Sequence, residues 1–285
     1  MHPTWRHFFS ASICLLLTSG PTAFGAGHAS DDTGSEVESA SETPPPTNLH
    51  LFLLAGQSNM AGRGKIEEQD LQPHPRVLML NKEGHFVPAV APVHFDKPGI
   101  AGVGLGRTFA IEYANAHPEA TVGLIPTAAG GSSLEAWQPN GFHAQTKSHP
   151  YDDCLQRMQQ AMQAGELKGI LWHQGESDSS PERAQDYQAE LDDLFLRFRR
   201  EFHSPDVPIL VGQLGQFPER PWNEFRKLVD QAHRTLPERM TNTAFVVSDD
   251  LTHKGDQVHF SAEAYREFGR RYYRAFQTLE QSTRE

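Results

Sequence analysis

Residues 51–64 read Leu-Phe-Leu-Leu-Ala-Gly-Gln-Ser-Asn-Met-Ala-Gly-Arg-Gly, a continuous apolar run that stops on a small, polar, glycine-flanked turn. A run without alternation, closed by glycine, fits a parallel strand covered on both faces, and the carboxyl ends of such strands are where open α/β sheets hold ligands. The turn then delivers Ser58 to that edge. Taken alone, the stretch is better read as a plain strand followed by a Ser/Asn turn whose side chains bond their own backbone.

Two further stretches favour chemistry. Near the far end of the chain, Asp256-Gln257-Val258-His259-Phe260-Ser261 precedes a helical pattern. A carboxylate three residues before a histidine can hold one ring nitrogen and leave the other to take a proton from a serine hydroxyl. Alone, this Asp-x-x-His is also what an acidic helix start beside a surface histidine looks like. In the middle of the chain, the apolar Gly169-Ile170-Leu171 run ends on Trp172-His173-Gln174-Gly175-Glu176-Ser177-Asp178, a second strand closed by a polar glycine turn. Between the first and third blocks lies a glycine-rich loop, residues 99–106.

In these blocks and their order, residues 49 to 280 resemble the SGNH hydrolases, and more narrowly their sialate O-acetylesterase and acetylxylan esterase branch, whose first block reads Gly-Gln-Ser-Asn-Met and whose third reads His-Gln-Gly-Glu-Ser-Asp. The resemblance implies a serine esterase acting on an acetylated carbohydrate without a cofactor. It makes Ser58 the nucleophile, His259 the general base and Asp256 its orienter. The oxyanion donors it implies are the Ser58 N–H, an N–H of the Gly102-Val103-Gly104 loop (Gly104 foremost) and the Gln174 side-chain amide, where the wider family has an Asn. Gln57 stands where the wider family has an Asp. Gln57, Asn59 and Glu176 are expected to support the site. Gly130-Gly131-Ser132, leading to Trp137, resembles the branch's Gly-Gly-Thr/Ser turn and is expected to line the acyl or sugar pocket, although a tryptophan there also suits the core.

The 285 residues allow one sizeable α/β domain. Residues 1–29 carry Arg6, an apolar stretch from Phe8 to Leu17 and small residues near Ala26 and Ala29, the pattern of a secretory signal peptide and too short to span a bilayer. Residues 30–48 are acidic and Ser/Thr-rich before Pro44, Pro45 and Pro46, a composition that buries too little to order itself and reads as a spacer. Residues 49–285 then form the esterase domain, secreted or periplasmic. Without Arg6 and the five acids of the spacer, 24 basic and 31 acidic residues leave this domain at −7. With no basic cluster, nucleic acid and anionic membrane surfaces are poor partners. Cys14 leaves with the signal peptide, so Cys154 stands alone and reads as a buried apolar residue. The histidines show no HExxH-type pairing, and no zinc site is expected. Nothing in the sequence speaks to oligomeric state.

Strand-like runs alternate with helical ones, predicting a single doubly wound, flavodoxin-like parallel sheet with helices on both faces. The strands fall at 51–55, 121–126, 169–172, 209–213 and 244–248, the helices at 105–116, 152–164, 181–202, 224–236 and 261–279. Pro181 suits a first helical turn and Ser261 an N-cap. Two other functions remain open on residues alone: a glycosidase using Glu176 and Asp178 as its carboxylate pair, and a non-catalytic carbohydrate-binding domain. Neither accounts for Ser58, Asp256 and His259 together.

Overall fold

The computed structural model describes residues 48–282. The signal-peptide and spacer expectations lie outside those residues. At the centre is β1 (Leu49–Gly56), hydrogen-bonded on one side to β4 (Thr121–Pro126) and on the other to β5 (Glu166–His173), both parallel to it. β6 (Ile209–Gly212) and β7 (Thr243–Val246) extend the β5 side, and β2 (Val77–Leu80) and β3 (Phe86–Pro88) extend the β4 side. Without the β2–β3 hairpin, the strands in chain order lie as 2-1-3-4-5, the flavodoxin-like order, and the doubly wound expectation holds.

The apolar run is explained by what covers it. Leu49, Leu51, Leu53 and Ala55 face one core, with Trp172, Met158 of α3 (Pro150–Ala161), Phe195 and Phe198 of α4 (Tyr187–Glu201) and Val229 of α5 (Glu224–Arg234). Phe52 and Leu54 face the other, with Phe109 and Tyr113 of α2 (Leu105–Ala116) and Phe268, Tyr272 and Phe276 of α7 (Ala262–Ser282). Leu51 through Ala55 are fully buried, so each large side chain contributes about 1.5–3 kcal/mol of burial and neither face has a polar alternative. Two short helices complete the chain: α1 (Ser58–Ala61), directly after β1, and α6 (Leu236–Arg239).

Two departures have local causes. The β2–β3 hairpin was not anticipated: β3 has three residues, and of β2 only Val77 and Leu80 are buried, too little for a period to register. β3 pairs antiparallel at the edge, where its terminal Pro88 costs no ladder bond. Pro181 does not open a helix. Residues 181–186 form turns, with the Ala184 N–H donating to Ser180 O and the Ser180 N–H to Asp178 O, and α4 begins at Tyr187. Ser261 does cap α7: its Oγ accepts the Ala264 N–H at 3.1 Å.

Candidate active site

β1 ends at Gly56, whose φ of +128° turns the chain out of the sheet, and a Cβ there would lie 2.1 Å from His173 O. Glycine is therefore required for β1 and β5 to stay paired up to the turn. Gln57 donates its N–H to His173 O, and α1 starts at Ser58, which is 8% exposed at the carboxyl edge of the sheet.

The partner of Ser58 comes from 201 residues further on, where His259 Nε2 lies 3.0 Å from Ser58 Oγ. His259 Nδ1 is 2.7 Å from Asp256 Oδ2, and since an ionised carboxylate only accepts, Nδ1 carries the proton and Nε2 is free to accept from the serine. Asp256 is held in turn: its Oδ1 accepts the N–H groups of Val258 (3.0 Å) and His259 (2.8 Å). That tight turn needs a left-handed backbone at Gln257 (φ +59°), a strained conformation of the kind found where geometry is over-determined. Partial burial pushes the Asp256 pKa up, but the hydrogen bonds from the His259 N–H and ring and from the Val258 N–H outweigh it and bring the pKa down to about 2. Asp256 is thus a fixed negative charge beside the imidazole. The structure brings together the three residues singled out in the sequence.

The supporting residues have defined tasks. Asn59, fully buried, brackets His259: its Nδ2 donates to Val258 O (3.0 Å) and its Oδ1 accepts the Phe260 N–H (3.4 Å). The same Oδ1 accepts the Tyr265 hydroxyl (2.6 Å), and Nδ2 also donates to Glu176 Oε1 (2.6 Å). Gln57 Oε1 accepts the N–H groups of Gly175 (3.3 Å) and Ser177 (3.4 Å), tying the loop after β5 to the nucleophile turn.

One expectation about the oxyanion donors is corrected. Gln174 is fully buried, with Nε2 donating to Ser132 O (3.0 Å) and to Asp178 Oδ2, and Oε1 accepting the Tyr187 hydroxyl (2.9 Å). Both its N–H bonds are spent in the interior, so it has none for an oxyanion. The Gly102 N–H donates to Gly62 O and the Val103 N–H to Gly64 O, which pins that loop to the chain beyond α1, and Gly104 packs on Gly62 as the N-cap of α2.

The glycine loop that does follow a neighbour of β1 is the one after β4. The Ala129 N–H donates to Gly56 O, and the Ser132 N–H closes a turn onto Ala129 O (3.1 Å), with Gly131 at φ +91°. Like that of Gly104, the N–H groups of Ser58 and Gly131 donate to no other group among the described residues. This turn is fixed from below by residues that sequence reading missed. Asp96 Oδ2 accepts the Gly130 N–H (2.9 Å) and pairs with Arg63 (2.6 Å), whose other nitrogen donates to Gly62 O. Burial raises the Asp96 pKa, yet the Arg63 guanidinium outweighs it and the net direction is down. The only sequence signal for this pair was a charged residue, Arg63, inside the glycine-flanked first block.

Ser132 and Trp137 do not line a pocket as expected. Both are fully buried, Trp137 Nε1 donates to Ser132 Oγ (2.9 Å), and the indole packs edge-on against Trp172. Asp178 is 1% exposed and accepts the Leu134 N–H, and burial pushes its pKa up to about 6 despite those donors. A carboxyl sealed in this way cannot meet a sugar, which removes the pairing of Glu176 with Asp178 that a glycosidase would need.

Comparison with known proteins places the chain among carbohydrate esterases. A probable carbohydrate esterase of Arabidopsis thaliana is 29% identical over 260 residues, 83% of this chain and 93% of the plant protein. Among solved structures, a protein of Arabidopsis thaliana superposes with a TM-score of 0.71 at 28% identity, covering 82% of this chain and 99% of its own. NanS, at 18% identity, gives 0.67 and covers 84% of this chain and 100% of its own. A carbohydrate acetylesterase from Xanthomonas citri, at 20% identity, gives 0.60, with 81% and 56% covered. The last two share the fold. The family model of carbohydrate esterases described as sialic acid-specific acetylesterases matches residues 48–278, and the chain belongs to that family.

Proposed function

We propose that this esterase of acetylated sugars works through a Ser58–His259–Asp256 triad and an acetyl-enzyme. The observation that carries the reading is the continuous relay of Ser58 Oγ to His259 Nε2 at 3.0 Å and His259 Nδ1 to Asp256 at 2.7 Å. Ser58 Oγ attacks the acetyl carbonyl carbon while its proton passes to Nε2. The tetrahedral intermediate expels the sugar oxygen, which takes that proton and leaves as the alcohol. Water then attacks the acetyl-Ser58 ester, again giving a proton to Nε2, and acetate departs as Ser58 Oγ recovers it.

The oxyanion is assigned to the unengaged N–H groups of Ser58, Gly131 and Gly104, at the turns after β1 and β4 and at the start of α2. Donors held in place by buried pairs such as Arg63–Asp96 need no reorganisation as charge develops, which is where such groups contribute most. Residues 1–29 direct export, and the enzyme acts outside the cytoplasm on a xylan-like or sialic-acid-like acetylated glycan. Acetate release from a panel of acetylated glycans tests the activity. Mass spectrometry after rapid quenching, with an acetyl mass shift on the peptide holding Ser58, tests the intermediate. No acetylation of that peptide during turnover would refute the serine mechanism, and an uncleaved N-terminus on the exported protein would refute the signal peptide.

A further inference from the structure

Arg226 is 8% exposed, yet its guanidinium makes no hydrogen bond or salt bridge among the described residues. Only its backbone N–H is engaged, donating at 2.8 Å to the Asn223 Oδ1 that caps α5. A buried guanidinium without a hydrogen-bonded partner is costly. Burial lowers its pKa, Glu176 opposes the shift and Arg220 adds to it. Arg220, exposed on the loop after β6, likewise has its guanidinium free of hydrogen bonds and salt bridges among the described residues.

The two arginines line a pocket of about 100 Å³ with Glu176, Ser179, Pro221 and Asn223. That volume is well under the roughly 300 Å³ at which whole-ligand sites begin, so the pocket takes a functional group rather than a sugar ring. Its lining is tied at two places to the segments that carry Ser58 and His259. Glu176 Oε1 holds Asn59, the residue after Ser58, at 2.6 Å. The loop that carries Arg220 lies against the loop that carries His259: Phe217 packs edge-on against Phe260, and Glu219 pairs with His253 at 3.5 Å.

The polar inventory selects the ligand. The Ser179 hydroxyl is spent on Gly175 O (2.8 Å), leaving two donor-only guanidinium groups against one carboxylate, Glu176. Glu176 Oε1 is already occupied by Asn59, and its Oε2 is buried without a partner. A planar anion that accepts two parallel N–H bonds complements a guanidinium better than a neutral hydroxyl does.

We propose that Arg226 and Arg220 form a carboxylate subsite that seats the acid group of an acidic sugar while its acetyl ester lies at Ser58. The inference rests on the esterase reading above and chooses acidic sugars over neutral ones within it.

The test has a binding arm that needs no catalysis. In protein carrying Ser58→Ala, calorimetric titration with N-acetylneuraminate and with glucuronate, each against its methyl ester, should show at least one acid binding tenfold or more tighter than its ester. Whichever acid does so names the sugar class. Adding Arg226→Met or Arg220→Met should collapse that ratio towards one, and Arg220 is exposed enough for its variant to fold even where the other does not. In the kinetic arm, wild type should prefer 9-O-acetyl-N-acetylneuraminate, or an acetylated glucuronate, over the corresponding methyl ester through KM, and the same variants should erase the preference. Equal binding of acid and ester, or no binding of either acid, overturns the subsite. A variant that loses acid and ester in equal proportion also overturns it, since that marks Arg226 as a structural counter-charge to Glu176. Acid-selective binding with no acetate released from any ester would instead sink the esterase reading and leave the subsite standing.

Discussion

Glu176 Oε1 accepts a hydrogen bond from Asn59 Nδ2 at 2.6 Å, and through it the loop after β5 fixes the amide that grips the backbone on both sides of His259. Asn59→Ala should therefore loosen the His259 loop without touching substrate. The expected result is a fall in kcat of roughly ten- to a hundredfold with KM little changed, because misplacing a general base acts on the reacting geometry. Glu176→Gln keeps an acceptor for Asn59 and should lose far less. Steady-state kinetics on p-nitrophenyl acetate decide, and equal losses in the two variants would mean that the charge of Glu176 matters more than its hydrogen bond.

Ser58→Ala should keep the wild-type melting temperature and lose nearly all turnover. His259→Ala and Asp256→Ala should each lose activity, while the double variant is scarcely worse than His259→Ala, since groups acting as one unit are strongly non-additive. Additive losses would mean that Asp256 only shapes the turn that carries His259.

For Gln174 the structure predicts a stability effect. Gln174→Ala removes one partner each from the buried Asp178, which keeps the Leu134 N–H, and from the Tyr187 hydroxyl, which keeps His233 Nε2, at a cost of about 1 to 3 kcal/mol in unfolding free energy. Turnover per folded molecule on p-nitrophenyl acetate should stay within a few fold of wild type. A hundredfold loss of kcat in a protein that melts normally would restore Gln174 to the oxyanion site.

Asp178 supplies a pH signature. Its pKa stands at about 6 folded against 3.8 for the free side chain, so the folded state holds the proton more tightly than the unfolded one. The resulting stabilisation is fully present below about pH 3.8 and is lost as the pH rises through about 6, a swing of about 3 kcal/mol. Asp256 works in the opposite sense at lower pH: its folded pKa of about 2 gives stability that is present above 3.8 and lost as the pH falls towards 2. Denaturant titrations between pH 4 and 7 should show stability declining with pH by this contribution in wild type and not in Asp178→Asn. An unchanged slope in the variant would show that Asp178 is ionised throughout that range.

How far the sequence reached is clear from particular residues. The strand run before Ser58 and the Asp256–His259 spacing were legible because each is a local pattern whose chemistry depends only on meeting the other at one sheet edge. Gln174 was placed correctly at a strand end but given the wrong direction. Gly175, at φ +139°, turns the chain so that the Gln174 amide points into the core towards Tyr187 and Asp178, and no spacing rule carries that information. Gly131 was noticed as part of a turn, yet the role proposed for it depends on β4 being the neighbour of β1, a pairing across 72 residues from Leu49 to Thr121. Arg63–Asp96 and Arg226 escaped for the same reason: a charged residue read from sequence defaults to the surface, and only packing shows which ones are buried.

The 201 residues between Ser58 and His259 also bear on when the molecule becomes active. The nucleophile leaves the ribosome early, at the end of the first strand, while its base arrives only with the segment just ahead of the last helix. That segment is kept in place partly by the Tyr265 hydroxyl of α7 on Asn59, and α7 itself lies on α2 across the back of the sheet. Contacts of such high sequence separation are the slowest to form. Hydrolytic competence is therefore one of the last properties the nascent chain acquires, so that turnover doubles as a reporter of complete folding, and a polypeptide cut short anywhere before α7 is born without activity.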